Sequence, residues 1–293
     1  MCDEAKLARW AKEGLSRRQF GAMTGMAALA ACAPMEEGEG GDIALPAMAE
    51  NTIAFETPDG RMDGFFVHPV SGPSPAVLLW PDIAGLRETK RDMARRLAGR
   101  GYAVLVANQY YRDAPAPIWQ DFADFADGGW PRAREMRGKL DAEAIMRDAK
   151  AAIGWLDAQA PVDTERGVGT QGYCMGGPFA MWTAAAAPSR VKAAASFHGG
   201  GLVRDDNPLS PHRLMERMKA ALLIAIAQDD DAEAPTHKTV LREAADAAGR
   251  PAEIEVYAGD HGWTVPGSPS YAEAPAERAW ANLLALYQSA LQG

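Results

Sequence analysis

One cysteine occupies a position that suits nucleophilic catalysis. Cys174 lies at the centre of Gly172-Tyr173-Cys174-Met175-Gly176, between a strand-like segment and a helix-like one. This pattern is typical of a tight strand-to-helix turn that presents a nucleophile, because side chains at the two glycine positions would collide with the neighbouring backbone. The N-terminus of the following helix would also favour a thiolate and a developing oxyanion. The alternative is an inert cysteine buried in a glycine-rich turn.

Two further groups complete the set that a thiol nucleophile needs. Three aspartates, Asp229 to Asp231, follow the strand-like segment ALLIAIA, and His261 follows the strand-like segment AEIEVYAG. A histidine can take the thiol proton, and a carboxylate can orient the imidazole. Taken alone, His261 could be a surface histidine and the aspartates a solvated loop or a helix cap. The order cysteine, aspartate, histidine, each after a strand, favours catalysis.

The elements that must position these residues alternate between strand-like and helix-like from about residue 51 onwards. A hairpin is predicted over residues 51–70, around the turn Pro58-Asp59-Gly60. Further strands are predicted at 75–80, 102–108, 166–173, 191–198, 221–228 and 252–259. Helices are predicted at 87–101, 140–158, 178–187, 212–220, 236–249 and 274–291. This alternation predicts an α/β fold, with a mostly parallel, doubly wound sheet and helices on both faces.

No change of composition divides residues 51–293, so a single domain is expected there. Residues 109–140 show no clear periodicity and are rich in Trp, Pro and Asp. We predict that they form a loop or cap over the site.

The first 50 residues have the composition of a targeting segment. The pair Arg17-Arg18, in the context SRRQF, resembles a twin-arginine (Tat) signal, and the apolar run 21–32 that follows is too short to span a membrane. Leu29-Ala30-Ala31-Cys32 resembles a bacterial lipobox, in which the cysteine is lipidated. Residues 1–32 are therefore predicted to direct export to the periplasm through the Tat machinery, and residues 33–50 to form a flexible tether. The protein would contact a membrane only through a lipid attached to Cys32. The alternative is an amphipathic N-terminal helix.

Composition limits the partners and cofactors. The 293 residues are 47% hydrophobic, enough for a sizeable core, and the formal net charge of −9 argues against nucleic acid as the main partner. The three cysteines are Cys2, Cys32 and Cys174, so processing at Cys32 would leave one thiol in the domain. No Cys/His cluster has metal-ligand spacing, and the glycine-rich stretch is no dinucleotide fingerprint. No metal and no organic cofactor are expected.

Several motifs together resemble the dienelactone hydrolase family, which has the α/β-hydrolase fold. They are GYCMGG, QDDDAEAP, YAGDHGW and WPDIAGLRETKRDMARRLAGRGYAVLVAN, and the resemblance covers residues 51–291. It implies a hydrolase of small-molecule esters or lactones that works through a thioester acyl-enzyme. Cys174 would be the nucleophile and His261 the base. Asp230 aligns best with the family's acid, although Asp229 and Asp231 are each one step away.

The resemblance also implies residues that support the triad. The family has a glutamate that helps to activate the thiol, and Asp82 stands at that position with a side chain one methylene shorter. The backbone N–H groups of Ile83 and Met175 match the two places from which this fold draws its oxyanion donors.

The substrate-binding residues depart from the family pattern. The family's named enzyme binds a carboxylated lactone through arginines, one of them just beyond its catalytic histidine, where this chain has Gly262-Trp263-Thr264-Val265. This departure leaves open whether dienelactone itself is the substrate. Candidates for the lining of the pocket are Arg112, Trp130, Tyr173, His198 and Trp263. The alternative function is an exported, non-catalytic binding lipoprotein on a hydrolase fold. The retention of Cys, Asp and His in order argues against it.

Overall fold

A single eight-stranded sheet organises the chain, whose computed structural model describes residues 47–291. The strands are β1 (Met48–Thr57), β2 (Gly60–Pro69), β3 (Ala76–Trp80), β4 (Ala103–Ala107), β5 (Val168–Tyr173), β6 (Val191–Phe197), β7 (Ala221–Ala227) and β8 (Ala252–Tyr257). Their order across the sheet is β1-β2-β4-β3-β5-β6-β7-β8. The hairpin β1–β2 is antiparallel, β2 pairs antiparallel with β4, and all pairs from β4 to β8 are parallel. The predicted mostly parallel sheet is confirmed.

Helices cover both faces of this sheet, also as predicted. They are α1 (Glu88–Ala98), α2 (Phe122–Ala126), α3 (Trp130–Arg137), α4 (Ala142–Asp157), α5 (Gly176–Ala186), α6 (Gln228–Glu233), α7 (His237–Ala247) and α8 (Glu273–Ala290), with a 3-10 helix at Pro211–Arg217. Successive side chains of a strand point to opposite faces. Leu79 of β3 therefore packs in the core that α1 and α8 cover, whereas the indole of Trp80 donates a hydrogen bond to Thr183 of α5 at 2.9 Å.

Three segments differ from the sequence prediction. Strand β1 begins at Met48, inside the segment predicted as a tether. The segment predicted to be irregular contains α2 and α3, because Asp121 caps α2 through the N–H of Asp124 and the ring of Phe125 packs against Trp119 and Trp130. The predicted aspartate loop after β7 is the short helix α6.

The predicted export signal and the lipobox cysteine, Cys32, lie outside the described residues. Across 47–291, no helix combines the length and the apolar character that crossing a bilayer would require.

Candidate active site

The carboxyl ends of neighbouring parallel strands bring the candidate residues to one edge of the sheet. Cys174 directly follows β5, His198 follows β6, Asp230 lies in the first turn after β7, and His261 lies four residues beyond β8. Strands β5 to β8 are consecutive in the sheet, so these loops are adjacent. This edge is where open α/β sheets form their ligand sites.

Cys174 lies on the sharp turn that its sequence motif predicts. Its φ of 53° is in the left-handed region, which is unusual for a residue with a side chain. A Cβ atom at Gly172 would lie 1.8 Å from the carbonyl oxygen of Gly176, and one at Gly176 would lie 2.5 Å from the carbonyl oxygens of Trp80 and Pro81. Both positions therefore require glycine. The thiol residue is buried and lies beside the N-terminus of α5, whose positive dipole end favours an anion there.

The three aspartates after β7 have three different partners. A carboxylate oxygen of Asp230 lies 2.7 Å from Nδ1 of His261. Asp229 instead accepts the backbone N–H groups of Asp230 and His261, at 2.9 and 2.8 Å, and thereby fixes the two loops to each other. Both oxygens of Asp231 bind the ammonium of Lys238. Asp230 is thus the aspartate whose carboxylate contacts the imidazole of His261.

His198 connects the cysteine turn with the histidine loop. Its Nδ1 accepts the backbone N–H of Cys174 at 3.1 Å, its Nε2 lies 2.9 Å from the hydroxyl of Thr264, and its ring meets the ring of His261 edge-on at 5.0 Å between centroids. Burial, reinforced by the positive charge of His261 when protonated, holds the pKa of His198 well below its ordinary value. His198 is therefore a neutral, structural member of the site.

Asp82 is held in a buried cluster of charges. Its two carboxylate oxygens accept hydrogen bonds from Arg87 at 2.7 and 3.0 Å, and one of them lies 2.9 Å from Nζ of Lys90. Burial by itself would raise the pKa of Asp82, but Arg87 and Lys90 outweigh it and hold the pKa well below the usual range. A carboxylate held in this way is a poor proton acceptor, so the geometry does not favour the activating role that the family resemblance implies for Asp82.

The two residues predicted to supply oxyanion donors lie close together. The hydroxyl of Tyr110 donates to the carbonyl oxygen of Ile83 at 2.9 Å and lies 3.8 Å from the sulfur of Met175, so it joins the two segments. The side chain of Gln109 supports the same loop by donating to the carbonyl oxygen of Asp82 at 2.8 Å. Within the described part of the chain, neither the N–H of Ile83 nor that of Met175 has a protein acceptor.

Arg112, predicted to face the pocket, is taken up by structural ion pairs. Its guanidinium binds both oxygens of Asp148 at 2.8 and 2.9 Å and one oxygen of Asp59 at 2.6 Å. It also lies over the ring of Tyr111. These partners belong to α4 and to the turn between β1 and β2. The structure therefore ties Arg112 to the hairpin and does not bring it to the Cys174 cluster.

The aromatic candidates pack in the core around the site. Trp263 is fully buried and stacks on Tyr257, with its edge against His198 at 5.3 Å. Tyr173 stacks on Phe197 at 5.1 Å. Both rings belong to the hydrophobic core that also contains residues of α1 and α8.

A cavity of about 320 Å³ lies between α1 and α8. Tyr173 and Phe197 line it together with side chains of the two helices, among them Met93 and Trp280. Neither Cys174 nor His261 does, so this cavity is separate from the candidate nucleophile.

Sequence reasoning missed the buried cations Arg87 and Lys90. A signal for Lys90 was available, because it shares one face of α1 with Ala94, Leu97 and Ala98, at the spacing of a core-facing stripe. A lysine in such a stripe indicates a buried ammonium with a partner nearby.

No group of three or more His, Cys, Asp or Glu side chains is arranged to hold a metal ion within residues 47–291. That the reaction needs no cofactor remains a prediction.

Comparison with known proteins identifies the family of this chain. The profile of the dienelactone hydrolase family matches residues 62–291. The chain belongs to the dienelactone hydrolase family. It is 28% identical over 230 residues to a Methylorubrum extorquens protein named "Putative carboxymethylenebutenolidase", covering 77% of this chain and 76% of that one. It is 31% identical over 160 residues to the carboxymethylenebutenolidase of Pseudomonas putida, covering 53% of this chain and 63% of the other.

Solved structures give the same family and fold. The crystal structure of a Klebsiella pneumoniae protein named "Putative Dienelactone Hydrolase" superimposes with a TM-score of 0.71 at 26% identity, covering 83% of this chain and 99% of that one. A dienelactone hydrolase-like promiscuous phosphotriesterase from metagenomic libraries shares the fold, with a TM-score of 0.68 at 24% identity over 84% of this chain and all of that one. The chain is a carboxylic ester or lactone hydrolase with the α/β-hydrolase fold.

Proposed function

We propose that this dienelactone hydrolase family member cleaves small carboxylic esters or lactones through a Cys174–His261–Asp230 triad. The observation that carries the proposal is the 2.7 Å contact between Asp230 and Nδ1 of His261, at the edge where Cys174 occupies a strained left-handed turn. With Nδ1 bound to a carboxylate, Nε2 is the nitrogen available to exchange a proton with the thiol and the leaving group.

Acylation begins when Nε2 of His261 takes the proton of the Cys174 thiol. The sulfur attacks the acyl carbon, and the N–H groups of Ile83 and Met175 stabilise the resulting oxyanion. Collapse of the tetrahedral intermediate breaks the carbon–oxygen bond, and His261 returns its proton to the departing alkoxide. A thioester on Cys174 remains. In a lactone the released hydroxyl stays attached to the acyl group.

Deacylation uses the same groups in reverse. His261 takes a proton from water, and the hydroxide attacks the thioester carbon. The carbon–sulfur bond breaks, the thiolate regains its proton from His261, and the carboxylic acid leaves.

For the substrate, we propose small esters or lactones without a required carboxylate. The names of the relatives suggest a carboxymethylene-substituted butenolide, which carries a carboxylate. Two observations favour a different substrate. The four residues after His261, Gly262-Trp263-Thr264-Val265, contain no arginine where the resemblance implies one, and the guanidinium of Arg112 is bound by Asp148 and Asp59.

The test is hydrolysis of an aryl acetate, an aliphatic lactone and a dienelactone by the wild type, Cys174→Ala and Cys174→Ser. We expect turnover by the wild type, loss of at least about 10³-fold in Cys174→Ala, and a folded but weakly active Cys174→Ser. Asp231→Asn, whose carboxylate binds Lys238, is the control and should keep wild-type rates. Undiminished turnover by Cys174→Ala would contradict the proposed nucleophile. No turnover on any substrate by the wild type would favour the binding role.

We further propose that the chain is exported to the periplasm through a Tat-type signal, with a possible lipid on Cys32. The sequence order of paired arginines, a short apolar run and a terminal cysteine supports this. Replacement of Arg17 and Arg18 by lysine should retain the protein in the cytoplasm, as measured by cell fractionation. An unchanged periplasmic fraction would contradict the Tat route.

A further inference from the structure

Two buried cations, Arg87 and Lys90, share one buried carboxylate, that of Asp82. The side chains of Arg87 and Lys90 are completely buried and that of Asp82 is 6% exposed. Arg87 uses two nitrogens on the carboxylate, and Lys90 uses its single ammonium at 2.9 Å. Two positive charges and one negative charge leave the cluster with one uncompensated positive charge.

The contacts of Lys90 show which groups lie near its positive charge. Its ammonium lies 4.3 Å from the ring centroid of Tyr173, the residue directly before Cys174, and 3.8 Å from the sulfur of Met93. Burial raises the pKa of Tyr173 well above its ordinary value, so this phenol stays neutral. Asp82, Arg87 and Cys174 act electrostatically on Lys90, and Lys90 in turn acts on His198 at the end of β6. Of these, Cys174 alone can add a second negative charge.

His198 is electrostatically coupled to the same cluster from the end of β6, and His261 acts on His198 from the loop after β8. His198 is neutral because burial and the nearby positive charges disfavour its protonated form. Neither imidazole can supply the anion that the cluster lacks. An uncompensated buried charge is costly, and it strongly favours ionisation of a neighbouring acid.

We propose that Lys90 is a positioning residue whose positive charge favours the thiolate form of Cys174 over the neutral thiol. The inference rests on the proposed role of Cys174 as the nucleophile. In this site a fixed cation performs the task that the family resemblance would give to a carboxylate at position 82. Asp82 serves to hold the cation in place. Burial lowers the pKa of Lys90 to about 8, opposed by Asp82, so the effect is present at neutral pH and fades above about pH 8.

The test measures the pH dependence of thiol alkylation on the full chain. Iodoacetamide reacts with the thiolate, and mass spectrometry of the peptide that contains Cys174 separates its alkylation from that of Cys2 and Cys32. The wild type should show a midpoint below the ordinary thiol value of about 8.5. Lys90→Met removes the charge at similar volume and should raise the midpoint by about one pH unit or more. Lys139→Met, which removes a half-exposed lysine paired with Asp113, should leave it unchanged.

A second variant keeps the test decisive if Lys90→Met does not fold. Lys90→Gln also removes the charge, and its amide can still donate a hydrogen bond to Asp82, so it should raise the midpoint as Lys90→Met does. A midpoint equal to that of the wild type in either folded variant would overturn the inference.

Alkylation needs no turnover, so this result is independent of the proposed hydrolysis. A Lys90-dependent midpoint without ester cleavage would contradict the proposed function alone. Turnover that requires Cys174, together with a midpoint insensitive to Lys90, would contradict this inference alone.

Discussion

The imidazole of His198 accepts a hydrogen bond from the backbone N–H of Cys174, with 3.1 Å between the two nitrogens. The two residues end neighbouring strands, and both have left-handed backbones, with φ values of 41° and 53°. Because Nδ1 of a neutral His198 is the acceptor, its proton is on Nε2 and is donated to Thr264. One ring therefore holds the nucleophile turn against the loop that carries His261.

Replacing His198 by alanine should reduce kcat by about a hundredfold and leave KM nearly unchanged. The change removes one of the two acceptors of the Cys174 N–H, the other being the carbonyl oxygen of Phe197 at 3.0 Å, and leaves a gap beside the ring of His261. The thiol and the imidazole would therefore lose their alignment. Steady-state kinetics on the ester that the wild type hydrolyses fastest would measure kcat and KM separately.

His198→Asn is the conservative comparison. Asparagine tolerates a left-handed backbone, and its side-chain oxygen can accept the N–H of Cys174, so it should recover a large part of kcat. His237→Ala, at the start of α7, is the control and should behave as the wild type. A wild-type kcat in His198→Ala would show that the ring has no positioning role.

Asp230→Asn should reduce kcat by about 10³- to 10⁴-fold, because an amide opposite Nδ1 of His261 no longer favours the required tautomer. Asp231→Asn is the matched control one residue away, since its carboxylate binds Lys238 and should be dispensable for turnover. The ratio of the two kcat values is the measurement. Equal losses in both variants would contradict Asp230 as the triad acid.

Gly176→Ala should destabilise the fold by about 3 kcal/mol or more. The added methyl group would lie 2.5 Å from two backbone carbonyl oxygens, which cannot move without displacing the end of β3. Gly154→Ala in α4 is the control, because its methyl group would meet nothing within 4 Å and alanine should gain up to about 1 kcal/mol. Urea denaturation measures both. Similar unfolding free energies for the two variants would contradict a sterically required elbow.

The sequence predicted the strands and the positions of Cys174 and His261, because these depend on local signals. Buried strands are short apolar runs, the elbow requires its glycines within five residues, and the topology then brings the ends of parallel strands together. The family resemblance singled out Asp230, but the residues themselves left three adjacent aspartates open. Their partners depend on the short helix α6, which turns each carboxylate in a different direction.

The charged residues around the site were the least predictable part. Arg112 carries no local sign that Asp148 and Asp59, which are distant in sequence, bind its guanidinium. The apolar stripe of α1 places Lys90 on the buried face, but it does not show that Asp82, eight residues earlier, is its partner. Apolar periodicity predicts which side chains are buried, whereas the pairing of charged groups depends on how the elements pack together.

Lys90 should make the stability of the wild type rise with pH between about 8 and 10, relative to Lys90→Met. Burial lowers its folded-state pKa to about 8, against about 10.4 in an unfolded chain. Between these values the unfolded state binds more protons at this site than the folded state, so the free energy of unfolding increases with pH. The difference between the two proteins should grow by roughly 2 kcal/mol over this interval.

Urea denaturation at half-unit steps from pH 7 to pH 10 measures that difference. Both proteins carry Cys174→Ala in this measurement, so that the thiol, whose midpoint depends on Lys90, adds nothing to the difference. The buried tyrosines, whose pKa values are raised, titrate alike in both proteins and cancel from it. Lys139→Met is the matched control, and its difference from the wild type should stay flat because that ammonium is half-exposed. If the difference in unfolding free energy between the wild type and Lys90→Met stays constant or falls as the pH rises, Lys90 keeps its proton up to pH 10. The thiolate of Cys174 would then retain its cation over the same range, and the alkylation rate of the wild type should not decline above pH 8.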